Sequence, residues 1–591
     1  MADKVKVTID GLEIEVSKEA TIVEAAREAH VEIPTLCWHK DLVPSGACGI
    51  CIVKVEGLGI KRACVTPVSD GMLIHTNTEE IRRARKNIIE LIIASHPKEC
   101  LECIRHGNCE LQAMAEQFKV RKVPYQWEDR KLPIDTSSRG ITREMNKCIS
   151  CGRCVHVCRD IQTVWAIDFH ERGHDTIVAP PFDGTLEEGT CINCGQCIVY
   201  CPVGAIYERE DIDYVWDAIN DPSKHVVVQI APAVRVIIGE DFGVEPGELS
   251  IGKLYTALKR CGFDTIFDTN FSADLTIIEE GTEFLNRVKN GGPFPMFTSC
   301  PPGWVKFMET FYHDLLDLYS TCKSPQQMLG ALAKTYFAED QKINPKDIVS
   351  VSIMPCTAKK FESSRPEMRS SGFQDVDYVL TTREAARMFK EIGIDFSNLP
   401  ESKADPLMSE YTGAATIFGA TGGVMEAALR TAYELHTGKT LENVEFTQVR
   451  GAFGKDIRIK EATIDVDGLP VKVAVANGTG SARVLCEKIR EAREKGEFTY
   501  HFVEIMACPG GCIGGGGQCI PVDWDKRMKR ANGLYKEDRE LELRKSHENP
   551  EIKLIYDKFL GEPNGHKSHE LLHTHYVKRD PYQKQKLLHE E

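Results

Sequence analysis

The chain has 591 residues, 42% hydrophobic and 27% charged, which allows three to five domains with sizeable cores. A net charge of −15 lacks the basic footprint of nucleic-acid binding and is repelled by an anionic membrane surface, so neither partner is expected. No run approaches the ~18 apolar residues of a spanning helix. The start, Met-Ala-Asp-Lys-Val-Lys-Val-Thr-Ile, reads as a strand rather than the basic flank of a signal core, which points to the cytoplasm. The 23 cysteines cluster at two- and three-residue gaps, a spacing of metal ligands rather than crosslinks.

Residues 5–16 alternate apolar and polar around an Asp-Gly turn, predicting a hairpin. A helix follows with Thr21 as N-cap and Ile22, Ala25 and Ala26 on its apolar face. Cys37, Cys48, Cys51 and Cys64 then come with Gly46 and Gly49 among them. This resembles a plant-type ferredoxin β-grasp domain with a [2Fe-2S] cluster, in the wide-spaced form of hydrogenase and complex I subunits. Four thiolates would also suit zinc, but the strand–strand–helix lead-in favours iron–sulfur. Residues 79–95 predict an amphipathic helix with Ile81, Ala84, Ile88 and Ile92 marking its apolar face. It delivers His96, Cys100, Cys103 and Cys109, a spacing similar to the His-ligated [4Fe-4S] site of the same two families. Imidazole in place of thiolate removes a negative charge, which raises a cluster's potential.

A linker with Pro124, Trp127 and Pro133 leads to Cys148, Cys151, Cys154 and Cys158, then to Cys191, Cys194, Cys197 and Cys201. Two C-x₂-C-x₂-C-x₃-C runs are the bacterial 2[4Fe-4S] ferredoxin pattern, in which each run gives its fourth cysteine to the other cluster. One cube is therefore assigned Cys148, Cys151, Cys154 and Cys201, and its twin Cys191, Cys194, Cys197 and Cys158. Clusters in series make a wire rather than an active site.

From His225 the composition changes to strand-like runs (226–236, 348–354, 471–476) alternating with helical ones (324–338, 382–391, 480–495), an α/β region with parallel sheets. Its glycine-rich stretches at 419–423 and 478–480 complete no dinucleotide fingerprint, so no nicotinamide site is expected on this chain. The region carries four motifs. Residues 504–518 hold Cys508 and Cys512 with six glycines, which let backbone approach a bulky anion closely. The plain alternative is a glycine-rich turn with two buried thiols. Upstream stand Met-Pro-Cys-Thr-Ala-Lys-Lys-Phe-Glu at 354–362, Thr-Ser-Cys-Pro-Pro-Gly-Trp at 298–304, and an acidic stretch at 274–283.

Together these resemble the signature loops and acidic helix of the iron-only ([FeFe]) hydrogenases, over about residues 226–575. The resemblance implies a catalytic domain holding an H-cluster, a [4Fe-4S] cube bridged by one cysteine to a two-iron site with CO, CN⁻ and a dithiolate. It implies that Cys356, Cys508 and Cys512 ligate the cube, with Cys512 as the bridge. Lys359 would bond a cyanide, Met354 and Met506 would pack around the irons, and Ala231, Pro232, Ala233 and Gln326 would line the site. Many members have serine where Ala233 stands. The family's proton relay maps onto Cys300, Glu280, Ser320 and Glu283. The two glutamates are three apart, hence neighbours on one helix face, and Leu275, Ile277 and Ile278 around them suggest partial burial and a raised pKa.

One departure stands out. The family's first loop reads Thr-Ser-Cys-Cys-Pro, relay first and ligand second; here Pro301 occupies the ligand's place, and proline cannot ligate. Three outcomes are open: Cys300 slides into the ligand role, another residue such as Cys519 completes the cube, or the H-cluster is absent. The expected layout is a [2Fe-2S] domain over 1–78, a His/Cys₃ [4Fe-4S] domain over 79–123, a 2[4Fe-4S] domain over 124–222, the catalytic domain over 223–524 and a C-terminal strap over 525–591. The expected function is reversible proton reduction to H₂, fed by one [2Fe-2S] and three accessory [4Fe-4S] clusters. A flavin/NAD(P) subunit, a [2Fe-2S] subunit and ferredoxin are the implied partners, electron bifurcation the implied setting, and hydrogenase maturases the implied assembly factors. The rival is a non-catalytic electron-relay subunit. The histidines at 566, 569, 573 and 575 read as a solvated helix, Cys261, Cys322 and Cys486 as core residues, and the stretch to Glu591 as frayed.

Overall fold

The computed structural model describes residues 3–125, 131–451, 454 and 458–581. Trp127 and the chain end to Glu591 lie outside the described residues. The first strands, Lys4–Ile9 and Leu12–Ser17, pair antiparallel around Asp10 and Gly11, both at positive φ as a two-residue hairpin turn requires. They join Met72–His75, Ile52–Val55 and Gly59–Arg62 in one five-stranded sheet. The helix Ile22–Glu28 packs on it, its start fixed by a reciprocal capping box between Thr21 and Glu24.

The helix Glu79–Ala94 begins at Thr78, whose hydroxyl accepts from the Ile81 N–H. Its buried stripe runs through Ile81, Arg85 and Ile89, while Ala84, Ile88 and Ile92 are half-buried. Arg85 is not among the residues that mark the face in the sequence. Arg85 is inside because its guanidinium donates to the carbonyls of Ile50 (3.1 Å) and Ile52 (2.7 Å), pinning the helix to the loop that carries Cys51.

The next region has two short antiparallel pairs, Ile141–Arg143 with Ile206–Glu208 and Asp168–His170 with Ile177–Ala179. The two cysteine runs lie between them. Beyond residue 224 stand two four-stranded sheets. The first is wholly parallel, in the order Thr265–Asp268, His225–Ile230, Ile348–Met354, Tyr378–Thr381. The second runs Met296–Phe297, Phe502–Met506, Leu469–Asn477, Ile459–Val466; its last pair is an antiparallel hairpin, so this sheet is mixed. The parallel pairing is otherwise as expected; the antiparallel edge strand, only partly buried, carries no continuous apolar run to mark it in the sequence. Between the sheets lies the 22-residue helix Thr269–Asn290, capped by Asp268 and stopped at Gly291. It is buried almost throughout its first half, Asp274, Glu279 and Glu280 included. A C-terminal segment, with helices Trp524–Glu540, Pro550–Ile555 and His566–Leu572, wraps this core and adds Leu534, Ile552, Ile555 and Leu572 to it. Cys261, Cys322 and Cys486 are buried, as expected.

Candidate functional site

Three of the accessory ligand sets line cavities of their own. Cys148, Cys151, Cys154 and Cys201 surround one, and Cys158, Cys191, Cys194 and Cys197 another, so each run lends its last cysteine to the other's site. His96, Cys100, Cys103 and Cys109 share a third. The Nδ1 of His96 is buried without a hydrogen-bond partner among the described residues, and burial beside Lys147 lowers its pKa to about 4. A neutral, unpartnered ring nitrogen among three thiols suits a metal ligand. Cys37, Cys48, Cys51 and Cys64 interact with one another in the β-grasp domain, with Cys51 and Cys64 Sγ 3.3 Å apart.

The four motifs of the α/β region meet in one largely apolar cavity. Its loops leave the carboxyl ends of strands, where open parallel sheets present their ligands. His225–Ile230 delivers Ala231, Pro232 and Ala233; Ile348–Met354 delivers Met354, Cys356 and Lys359; Phe502–Met506 delivers Met506, Cys508 and Cys512; Met296–Phe297 delivers Cys300 and Pro301. Gln326 closes the floor, donating to Glu362 at 3.1 Å and accepting from the Ser352 hydroxyl at 2.9 Å. Gly511 (φ 96°) shows why the last loop needs glycine: a Cβ there would sit 2.7 Å from the Thr421 nitrogen. Gly516 lets this loop touch the neighbouring accessory site, since its own Cβ would lie 2.3 Å from the Cys194 carbonyl oxygen. Gln196 and Gln162 bind the loop from that side, donating to the carbonyls of Gly514 (2.8 Å) and Ala507 (2.9 Å).

Burial pushes the Cys512 thiol up to about 12 and raises those of Cys356 and Cys508. A group of converging buried thiols is the donor set an iron–sulfur cluster deprotonates and binds. The residues therefore fit a cube held by Cys356, Cys508 and Cys512, with the two-iron space walled by Met354, Met506, Ala231, Pro232, Ala233 and Phe418. Cys519 is not placed to complete the cube. It lies outside the cavity lining, with its Sγ 3.3 Å from Asp241 Oδ2 and 3.5 Å from the Ile237 carbonyl oxygen.

Cys300 also lines the cavity, and its thiol is raised by burial and by the Glu280 carboxylate beside it. Lys359 Nζ bridges the Cys300 carbonyl (3.1 Å) and Glu362 (2.9 Å). Behind Cys300, Glu280 is fully buried, and burial, with the Glu283 charge, pushes its pKa up to about 8. Ser320 Oγ donates to Glu283 Oε2 at 2.9 Å, and Arg287 donates to Glu283 Oε1 at 2.7 Å. Cys300, Glu280, Ser320 and Glu283 are thus brought together on the side of the cavity facing the acidic helix.

The histidine tail is not simply a solvated helix. His566, His569 and His575 are exposed, but His573 is buried between Glu279 (3.1 Å) and Thr321 (2.7 Å). A spacing argument could not see this, because both partners come from elements more than 250 residues upstream.

A chain of cysteine-lined cavities ending at a buried cavity with a polar exit defines an iron–sulfur oxidoreductase. The chain matches the family described as "Iron only hydrogenase large subunit, C-terminal domain" over residues 224–516 and "Iron hydrogenase small subunit" over 524–579. Its N-terminal regions match a 2Fe-2S iron-sulfur cluster binding domain (2–79), an NADH-ubiquinone oxidoreductase-G iron-sulfur binding region (85–124) and a 4Fe-4S dicluster domain (147–205). It is 47% identical to the NADP-reducing hydrogenase subunit HndD of Solidesulfovibrio fructosivorans, over 97% of this chain and 99% of that one. It is 42% identical to iron hydrogenase 1 of Clostridium pasteurianum, over 97% and 100%. A solved structure of [FeFe]-hydrogenase HydA1 from Chlamydomonas reinhardtii superposes with a TM-score of 0.55 at 45% identity, covering 62% of this chain and 98% of that one. The chain belongs to the iron-only ([FeFe]) hydrogenase family. Within it, it is a long, multi-domain oxidoreductase of H₂ metabolism, with iron–sulfur domains that relay electrons.

Proposed function

We propose that this chain is the H₂-activating subunit of a heteromeric, NAD(P)-linked and ferredoxin-linked cytoplasmic complex that bifurcates electrons. We assign it one [2Fe-2S] cluster, three accessory [4Fe-4S] clusters and an H-cluster installed by hydrogenase maturases. The observation that carries the reading is the convergence of Cys356, Cys508, Cys512, Lys359, Met354 and Met506 on one apolar cavity next to the Cys194 loop. When bound, the H-cluster supplies the metal centre for H₂ chemistry and the cube that connects it to the wire.

The chain's own residues do the rest. Cys356, Cys508 and Cys512 hold the cube, Lys359 presents the one ammonium in the cavity lining to an anionic group, and Met354, Met506 and Phe418 keep water out. Cys300 holds a proton at the cavity wall and exchanges it with Glu280. The raised pKa of Glu280 lets it take and give that proton near neutral pH. Ser320 carries the proton on to Glu283. No step needs Cys300 to leave this face, so we assign it to proton transfer and leave the fourth corner of the cube beside Pro301 without a protein thiolate.

The family-matched N-terminal domains and the subunit designation of the HndD relative support docking to a flavin/NAD(P) subunit and a [2Fe-2S] subunit. Anaerobic protein coexpressed with the maturases is expected to evolve H₂ from a reduced viologen, and from NAD(P)H plus reduced ferredoxin only with those subunits present. Pro301 favours one second reading, an electron-relay subunit without an H-cluster; accessory clusters intact by EPR with no H₂ at all would establish it.

A further inference from the structure

The proposed relay reaches Glu283, whose carboxylate is 14% exposed and tied to Arg287. Beside it stands a group that the sequence pattern did not assign. A ring nitrogen of His573, the Cys322 sulfur and a Glu283 carboxylate oxygen all lie within 4.8 Å of one another. Cys322 Sγ is 4.0 Å from Glu283 Oε2 and sits between the acidic helix and the strap, where Cys322 and His573 form an isolated antiparallel bridge. His573 is held on both ring nitrogens: Nε2 faces Glu279 Oε2 at 3.1 Å, and Nδ1 faces the Thr321 hydroxyl at 2.7 Å. Glu279 is itself fixed by the Tyr556 hydroxyl and by the Asn564 N–H at 2.8 Å. On its outer side His573 stacks on the exposed ring of His569, with centroids 4.5 Å apart and planes 12° apart.

We propose that His573 and His569 form the outlet through which protons pass between Glu283 and solvent. The proposal rests on the Cys300–Glu280–Ser320–Glu283 reading and extends it. A proton leaves the Glu283 carboxyl for His573 Nδ1 as the Thr321 hydroxyl turns away from it, giving a carboxylate and an imidazolium whose Nε2–H stays on Glu279. The imidazolium is stabilised by Glu279 and loses its proton outward past His569. Two stacked rings disfavour a double charge, so occupancy of one drives release from the other, and the path runs equally in reverse. The charged or titratable groups facing the pair are Glu279, Glu283 and Arg287 from the acidic helix, Cys322 from the preceding loop, Tyr556 from the strap, and His566 from its own helix. These histidines belong to the small-subunit-like segment, so the outlet exists only when that segment is docked.

The test uses the full matured enzyme and three variants. His573→Gln is expected to lower H₂ turnover by roughly a hundredfold, the low end of the range for a lost proton-transfer group. Its acidic limb should move, and added imidazole should restore part of the rate. His569→Gln, exposed and safe for folding, is expected to show a smaller loss with the same imidazole rescue. Native turnover and pH profile in a folded His573→Gln, while Glu283→Gln is inactive, would overturn the outlet and leave the relay standing. Should His573→Gln not fold, an unchanged rate and profile in His569→Gln would overturn the outlet equally. Full activity in Glu283→Gln would instead remove the relay on which it rests.

Discussion

The wire and the catalytic cavity use the same thiol chemistry, and they solve the ligand problem differently. At each accessory site the structure gathers four candidate donors, and each of the two ferredoxin-type sites draws its fourth cysteine from the other run. In the cavity, four thiols are present but divided. Cys356, Cys508 and Cys512 come from two loops that touch the Cys194 loop; Cys300 comes from a third, which meets that accessory site through Gly303 and abuts Glu280 on its other side. A relay site needs only its four donors. A catalytic site must also admit protons, and on the reading proposed above Cys300, next to Pro301, is the thiol assigned to that exchange.

That contrast can be broken at several points. Cys508→Ala removes a donor where cavity and wire meet, and H₂ turnover is expected to fall to background while the EPR signals of the accessory clusters remain. Cys300→Ala is expected to cut turnover by roughly 10²–10⁴-fold, as for loss of a proton donor, without changing cube content by iron analysis. Loss of the cube in that variant would show instead that Cys300 has taken the ligand's place.

A smaller effect concerns pH and the apo protein. The buried Glu280 carboxyl keeps its proton up to about 8, against 4.5 for the ordinary group, so folding binds that proton more tightly. Stability from this position is full below the ordinary value and is lost as pH rises through about 8. Glu280→Gln cannot ionise, so its melting temperature is expected to gain on the parent's as pH rises across this window. A constant difference would remove the case for a proton held there. On the wire, His96→Cys adds a thiolate charge and is expected to lower that cluster's potential in an EPR redox titration, with H₂ turnover little affected. Smallest of all, Thr21→Ala should cost about 1 kcal/mol of β-grasp stability through loss of its capping box.

How much was legible in the sequence follows the same division. The cysteine runs are legible because each is local, and the structure gathers Cys201 with the first run and Cys158 with the second, as the repeated motif predicts. The hairpin at Asp10-Gly11 and the capped helix after Thr21 are likewise local signals. The cavity residues could be named only through resemblance, since strand ends more than 200 residues apart build it. What stayed hidden was long-range and polar. Arg85 is buried by two carbonyls of another loop, and His573 by Glu279 and Thr321; in both cases a charged or polar side chain goes inside because a distant partner meets it. Cys519 illustrates the converse: near the motif in sequence, it turns towards Asp241 and away from the cavity.

The most direct test is an infrared spectrum of anaerobic protein coexpressed with the maturases. Bands of CO and CN⁻ are expected, showing the cavity of Cys356, Cys508, Cys512 and Lys359 loaded despite Pro301. A spectrum without them, on protein whose accessory clusters are intact by EPR, would contradict the catalytic assignment and leave only the wire.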